Sequence, residues 1–258
     1  MSSAPKIGIT CDYELAVDRR GMPSPRFVLS ASYVAAVLAA GGQPWPLPHR
    51  SLHNVDLMAE LDGIIISGGD FDIPPSYYGA EPRPTCGPTL PARSAFERHL
   101  CQEALSHDMP MLGICGGMQL MCVVMGGTLY QDLSEREDTD EHVQPKDKSQ
   151  PFHTVALRPN TLVAKAYGAD ATAANSTHHQ VVHSLGPNTR ASGHTADGVI
   201  EAIEITGQTF ALGLQWHPEA MVVGVPAHPE HLGPYRSLIV AAHSFAERRR
   251  AAKAPHGP

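Results

Sequence analysis

The sequence predicts an α/β fold: a single domain whose central, mostly parallel sheet is flanked by helices, with an antiparallel extension toward the C-terminus. Three observations carry that prediction. Lys6–Thr10, Gly63–Ile66 and Met111–Ile114 are short apolar runs of the length expected for strands buried on both faces. Stretches of helical character lie between them, and this alternation implies right-handed βαβ units around a parallel sheet. After residue 152 the pattern changes to strand-like segments punctuated by Gly198 and by Gly207-Gln208, which read as hairpin-like turns.

Taken in order, Lys6–Thr10 is the first strand, and residues 11–25 read as a polar loop because of Gly21, Pro23 and Pro25. Residues 27–40 carry helical periodicity, ended by Gly41-Gly42. The prolines of 44–47 allow only a short or edge strand. Residues 55–61 suggest a short helix before the strand Gly63–Ile66. A long proline-rich loop, 70–91, follows and reads as functional or disordered. Residues 92–106 are helical, Met111–Ile114 is a strand, 118–125 is a buried helix, and 128–131 resumes as a strand. Residues 132–150 are dense in charge and read as a mobile surface segment. Strands are expected at 152–157, 171–175, 190–195, 199–205 and 210–215, then an amphipathic helix over 235–248 and a tail over 249–258. There is no internal repeat. The length suits one large α/β domain or two small ones, and the expectation is one domain over 1–258 with its core at about 6–246.

Composition excludes several function classes. The chain has 258 residues, 42% of them hydrophobic and 17% charged, with a net charge of −7. An acidic chain lacks the basic face that nucleic acid requires, and the Arg248-Arg249-Arg250 run suits a solvated helix end. No apolar stretch approaches the roughly 20 residues needed to span a bilayer, and residues 1–6 lack the apolar segment of a signal peptide. The five cysteines, Cys11, Cys86, Cys101, Cys115 and Cys122, are odd in number without a C-x-x-C pair. That argues against a disulfide framework and for a reducing cytoplasm. Of the 15 histidines, His178-His179 with His183, and His228 with His231, invite a metal reading. Neither group has matching cysteine or carboxylate spacing, so no metal and no cofactor are expected.

The chemistry centres on Gly113-Ile114-Cys115-Gly116-Gly117. A cysteine flanked by glycines between a strand and a helix is the G-x-C-x-G counterpart of a nucleophile elbow. The sharp turn pushes Sγ out at the carboxyl end of the strand, where open α/β sheets place their ligands. It also aims the first helix amides at the sulfur, favouring the thiolate. The bland alternative is a buried cysteine in a βα turn. About one hundred residues on, Gln215-Trp216-His217-Pro218-Glu219 offers a base, His217, and an orienting carboxylate, Glu219. Ser67-Gly68-Gly69-Asp70 leaves backbone N–H groups free to face a ligand.

Gly113 to Gln119 followed by Gln215 to Glu219 resembles the class I glutamine amidotransferase superfamily. Three further stretches resemble its γ-glutamyl hydrolase branch, peptidase C26, which includes γ-glutamyl-γ-aminobutyrate hydrolases. They are Ser67-Gly68-Gly69-Asp70 with Pro74 and Tyr78-Gly79, Asn175-Ser176-Thr177-His178-His179-Gln180, and Asp197-Gly198-Val199-Ile200-Glu201-Ala202. The resemblance runs over about 6–246 and implies a flavodoxin-like domain with nucleophile Cys115, base His217 and orienting Glu219. It places the oxyanion hole at the N–H groups of Gly69 and Gly116, and substrate contacts at Gly68, Gln119 and His178. The branch often carries arginine directly after the nucleophile, where this chain has Gly116.

Three functions are weighed on this basis. The first is a stand-alone amidohydrolase that cleaves a small γ-glutamyl amine through a thioester, with loops 11–25 and 70–91 framing an open mouth. The second is a glutaminase subunit handing ammonia to a separate synthetase. The third is a regulatory protein using Cys115 as a redox sensor, which is disfavoured because His217 and Glu219 are both present. A homodimer is compatible with all three, and the amine leaving group is not identified.

Overall fold

Isoleucines decide how the sheet is covered. Ile64 and Ile66 enter an apolar cluster on one face, and Ile65 between them enters the cluster on the other, because successive strand side chains point to opposite faces. The computed structural model describes residues 3–49, 56–137, 139–145, 147–225 and 227–253. The expectations placed on residues 1–2, 55, 138, 146 and 254–258 lie outside the described residues.

The chain runs β1 (Lys6–Thr10), β2 (Asp12–Val17), β3 (Pro23–Val28), α1 (Ala31–Ala39), β4 (Gln43–Leu47), α2 (Leu57–Glu60), β5 (Gly63–Ile66), α3 (Pro91–Ser106), β6 (Met111–Ile114) and α4 (Gly116–Val124). It continues through β7 (Thr128–Tyr130), β8 (His153–Leu157), α5 (Leu162–Tyr167), β9 (Ala171–Ala174), β10 (Val181–Ser184), β11 (Thr189–His194) and β12 (Ile200–Ile205). It ends with β13 (Ala211–Leu214), α6 (Pro218–Val222) and α7 (Gly233–Lys253). The main sheet has the order β4-β1-β5-β6-β13-β12-β11-β8-β9. From β4 to β13 the pairs are parallel, and from β13 to β9 they are antiparallel. Numbered among themselves, the five parallel strands have the flavodoxin-like order 2-1-3-4-5. Tyr33, Ala36 and Val37 of α1 and Tyr235, Leu238 and Ile239 of α7 pack on one face. Leu100 and Cys101 of α3 and Met118, Leu120 and Met121 of α4 pack on the other. None of the described helices is long and apolar enough to cross a membrane.

Several local expectations change. Residues 11–25 are largely a β-hairpin, with Asp12 paired to Val28 and Val17 to Pro23. Its prolines suggested a loop, but they are tolerated in a two-stranded ribbon that leaves Leu15 81% exposed. Phe27 therefore belongs to β3, and the helix begins after Ser30, whose hydroxyl accepts from Ser32 N. β7 does not join the main sheet; it pairs with β10, a strand the pattern did not reveal. Arg249 and Arg250, expected in a tail, continue α7. Helices α5 and α6 were too short for a periodic signal.

Described residues of segment 132–150, which the sequence reads as a mobile surface stretch, are pinned to the rest of the fold by hydrogen bonds. Gln144 N donates to Ser176 O (2.9 Å), His178 N donates to His142 O (3.2 Å), and Arg136 Nη2 donates to Asp197 O (2.8 Å). Its charged composition concealed two buried side chains, His142 and Gln144.

Candidate active site

The carboxyl ends of β1, β5, β6 and β13 converge on a cavity of about 670 Å³ lined by Asp12, Tyr33, Ser67, Gly68, Gly69, Asp70, Cys115, His217 and Glu219 among others. Cys115 sits between β6 and α4 with φ 51° and ψ −108°, a strained conformation for a residue with a Cβ. Close packing holds it there. A Cβ on Gly117 would lie 2.1 Å from Ile66 O, so α4 can approach β5 this closely only with glycine. Cys115 N donates to Leu214 O at 2.7 Å, tying the elbow to β13, which also delivers His217.

His217 Nδ1–H donates to Glu219 Oε1 at 2.7 Å, leaving Nε2 for the cavity side, where the ring also engages Cys115. Gly68 is wedged against both: a Cβ there would lie 2.6 Å from His217 Cε1, 3.4 Å from Nε2 and 3.2 Å from Cys115 Cβ. The backbone of His217 is clasped by Asn175, whose Oδ1 accepts from His217 N (2.8 Å) and whose Nδ2 donates to His217 O (2.9 Å). Burial pushes the His217 pKa down, but the Glu219 carboxylate and Cys115 outweigh it and lift it to about 10. The imidazolium is therefore the resting form at neutral pH. Burial and the Glu219 charge raise the Tyr33 and Tyr235 hydroxyls well above their usual range, so both stay neutral.

The glycine turn after β5 is set by contacts that the sequence did not advertise. Gly68 N donates to Tyr33 Oη (2.9 Å). Arg93, buried on α3, donates through Nη2 to Ser67 O and Gly68 O, both at 2.9 Å. Its Nη1 pairs with Asp12 Oδ1 (2.7 Å) and its Nε with Glu97 Oε1 (2.9 Å). With the carbonyls of the turn drawn toward Arg93, its remaining N–H groups are left for the cavity. Neither Gly69 N nor Gly116 N has an acceptor among the described residues. Gly116 faces open space where a Cβ would stand, so a side chain can begin there without a backbone change.

The other two expected contacts, Gln119 and His178, are buried away from the cavity lining. Gln119 does not line the cavity; its Nε2 donates to Gln180 O (2.9 Å) and Gln215 Oε1 (3.2 Å), and Gln215 Nε2 in turn donates to Cys115 Sγ (3.5 Å). Gln119 thus orients Gln215, and Gln215 supplies the sulfur with a donor. His178 does not line the cavity either. It turns to buried Glu201, with Nε2 3.2 Å from Oε1. Of loop 70–91, only Asp70 lines the cavity; further wall comes from the hairpin side, Asp147–Ser149, Thr177, Ala220 and Val223–Val225. Arg93 left a weak sequence signal, an i,i+4 pair with Glu97 that reads as an ordinary surface ion pair.

Arg93 acts through the turn, and this gives an expected result. In Arg93→Lys the charge remains, but an ammonium cannot replace the planar fork that meets two carbonyls and two carboxylates. Turnover per active site should fall by about 10- to 100-fold, less than the roughly 10²–10³ for outright loss of an oxyanion donor because the donor is displaced and not removed, with KM little changed. Active-site titration separates this from partial unfolding, which would lower the titrated fraction and leave turnover per site intact.

Residues 5–219 match the peptidase C26 family. A glutamine amidotransferase-like protein of Rickettsia prowazekii is 34% identical, over 85% of this chain and 92% of its own. The γ-glutamyl-γ-aminobutyrate hydrolase PuuD of Escherichia coli K12 is 30% identical, over 74% of this chain and 78% of its own. Among solved structures, the glutaminase domain of Trypanosoma brucei CTPS with bound acivicin superposes with a TM-score of 0.62 at 15% identity, over 93% of this chain and 94% of that one.

Proposed function

The chain belongs to the peptidase C26 family, and we propose that it cleaves a γ-glutamyl amide to glutamate and a free amine. The observation that carries this reading is the strained Cys115 elbow opening on the same cavity as a His217 held at 2.7 Å by Glu219. The Cys115 thiolate attacks the γ-carbonyl carbon, and the oxygen takes up the charge near Gly69 N and Gly116 N. The C–N bond breaks as the His217 imidazolium gives its Nε2 proton to the leaving nitrogen. Neutral His217 then takes a proton from water, whose oxygen attacks the thioester; glutamate leaves and the thiolate–imidazolium pair is restored. Glu219 holds the ring throughout and stabilises the imidazolium whenever it forms.

Relatives named as glutamine amidotransferase-like favour a second reading, a glutaminase subunit that passes ammonia to a synthetase. A panel of γ-glutamyl amines assayed beside glutamine with the isolated, reduced protein separates the two. The expected result is glutamate release from at least one γ-glutamyl amine faster than from glutamine, with a thioester trapped by hydroxylamine. No turnover of any amine, together with glutaminase activity that appears on adding a synthetase, would sink the first reading.

A further inference from the structure

We infer that His142, His153 and Glu201 form a binding site for one divalent transition-metal ion of zinc-like ligand preference. The three side chains come from separate segments: His142 from the pinned segment, His153 from the start of β8, and Glu201 from β12. His142 Nδ1 is 3.4 Å from Glu201 Oε1, and His153 Nε2 is 3.8 Å from Oε2; one donor atom from each residue lies within 4.8 Å of the other two. Ligands about 2.0–2.2 Å from a tetrahedral ion stand roughly 3.4 Å apart, so only small rotations close the site.

The hydrogen bonding points the same way. The His142 Nε2–H donates to Asp197 Oδ2 at 3.0 Å, and Asp197 Oδ2 is itself held by Asp140 N at 3.0 Å. A histidine that gives one N–H to a carboxylate directs the lone pair of its other nitrogen outward, the arrangement that surrounds protein-bound zinc. That other nitrogen, His142 Nδ1, is buried without a hydrogen-bond partner, as are His153 Nε2 and both oxygens of Glu201. Glu201 is fully buried and the imidazoles of His142, His153 and His178 face its oxygens; a buried carboxylate is costly unless positive charge meets it. His178 Nε2, 3.2 Å from Oε1, is shared with Ser176 Oγ at the same distance and stands beside the donor set. The side chain of His153 is 15% exposed, which gives an ion a path from solvent. Imidazole and carboxylate donors select zinc and its neighbours over magnesium, which takes oxygen alone.

The consequence reaches the catalytic cavity. Beyond His142 the pinned segment continues to Asp147–Ser149 on the cavity wall, and the main chain of Gln215 donates to Glu201 O at 2.7 Å. An ion at this junction ties the wall to the strand that presents His217.

The test uses full-length protein stripped with a chelator, equilibrated with zinc, cobalt or magnesium, and desalted. Metal analysis and titration calorimetry should find about one zinc per chain, a higher melting temperature with zinc, and no comparable effect of magnesium. His153→Gln changes a partly exposed ligand and should weaken zinc at least about tenfold, whereas Asp197→Asn should weaken it about 10- to 100-fold. Cys115→Ser should bind as the wild type does. Less than a tenth of an equivalent in the wild type overturns the site, and so does full binding in His153→Gln or loss of binding in Cys115→Ser. Should His153→Gln fail to fold, anomalous diffraction at the zinc edge on wild-type crystals decides whether the ion lies between His142, His153 and Glu201.

Discussion

Replacing Cys115 with alanine leaves a folded protein whose hydrolysis of a γ-glutamyl amide falls by at least about 10⁴-fold, the scale seen when a nucleophile that acts as part of a unit is removed. The expectation of a preserved fold rests on the backbone. Cys115 already pays for φ 51° with a Cβ in place, and alanine keeps that Cβ, so neither strain nor packing changes by more than about 1 kcal/mol. Among the described residues the sulfur accepts from Gln215 Nε2 and engages His217, so its removal frees two polar groups beside an open cavity. Circular dichroism and melting temperature check the fold, and glutamate release with hydroxylamine trapping checks the chemistry. Activity above a trace in the alanine variant would take Cys115 out of the mechanism. Cys11, Cys86, Cys101 and Cys122 provide the control: burial pushes the thiols of Cys101 and Cys122 up to about 12, and substitution of any of the four should leave kcat unchanged.

His217→Ala should cost nearly as much as loss of the cysteine, because the proton donor and the partner of the thiolate vanish together. Glu219→Gln should be milder, about 10²-fold, since the ring stays in place and can still exchange protons. Its signature is a pH profile. In the wild type His217 is held as imidazolium up to about pH 10, so kcat/KM should stay level through pH 9 and fall as pH passes 10. The Glu219 carboxylate raises that pKa, and a neutral amide removes the contribution. In Glu219→Gln the alkaline limb should therefore move down toward the ordinary histidine range. An alkaline limb that stays near pH 10 in the variant, or a loss larger than that of His217→Ala, would reverse the assigned roles.

Much of the fold was legible because its signals are local. Gly63–Ile66 and Met111–Ile114 are too short and too apolar to be anything but strands buried on both faces, and both take those places in the main sheet. The elbow was legible for the same reason, since strand, turn and helix are contiguous. The hairpin at 12–28 was not, because its prolines carry the same signal in a loop and in a two-stranded ribbon. Gln119 and His178 were expected at the substrate. Their identities were informative about the region, but the direction of each side chain depended on Gln215 and Glu201, which are remote in sequence.

By itself, the sequence determined the alternation of strands and helices, the glycine turn that carries Cys115, and the proximity of His217 to Glu219 two residues later. These follow from backbone sterics and from spacings within one turn of chain. Tertiary structure alone decided which buried polar groups meet across the fold. Arg93 finds the carbonyls of the Gly68 turn, Asn175 clasps His217, and His142 and His153 gather around Glu201. Each of these groups, once buried, must be partnered or charge-compensated in a medium that no longer offers water. The partner is whatever the packing of sheet and loops brings within about 3 Å, and no spacing along the chain records that.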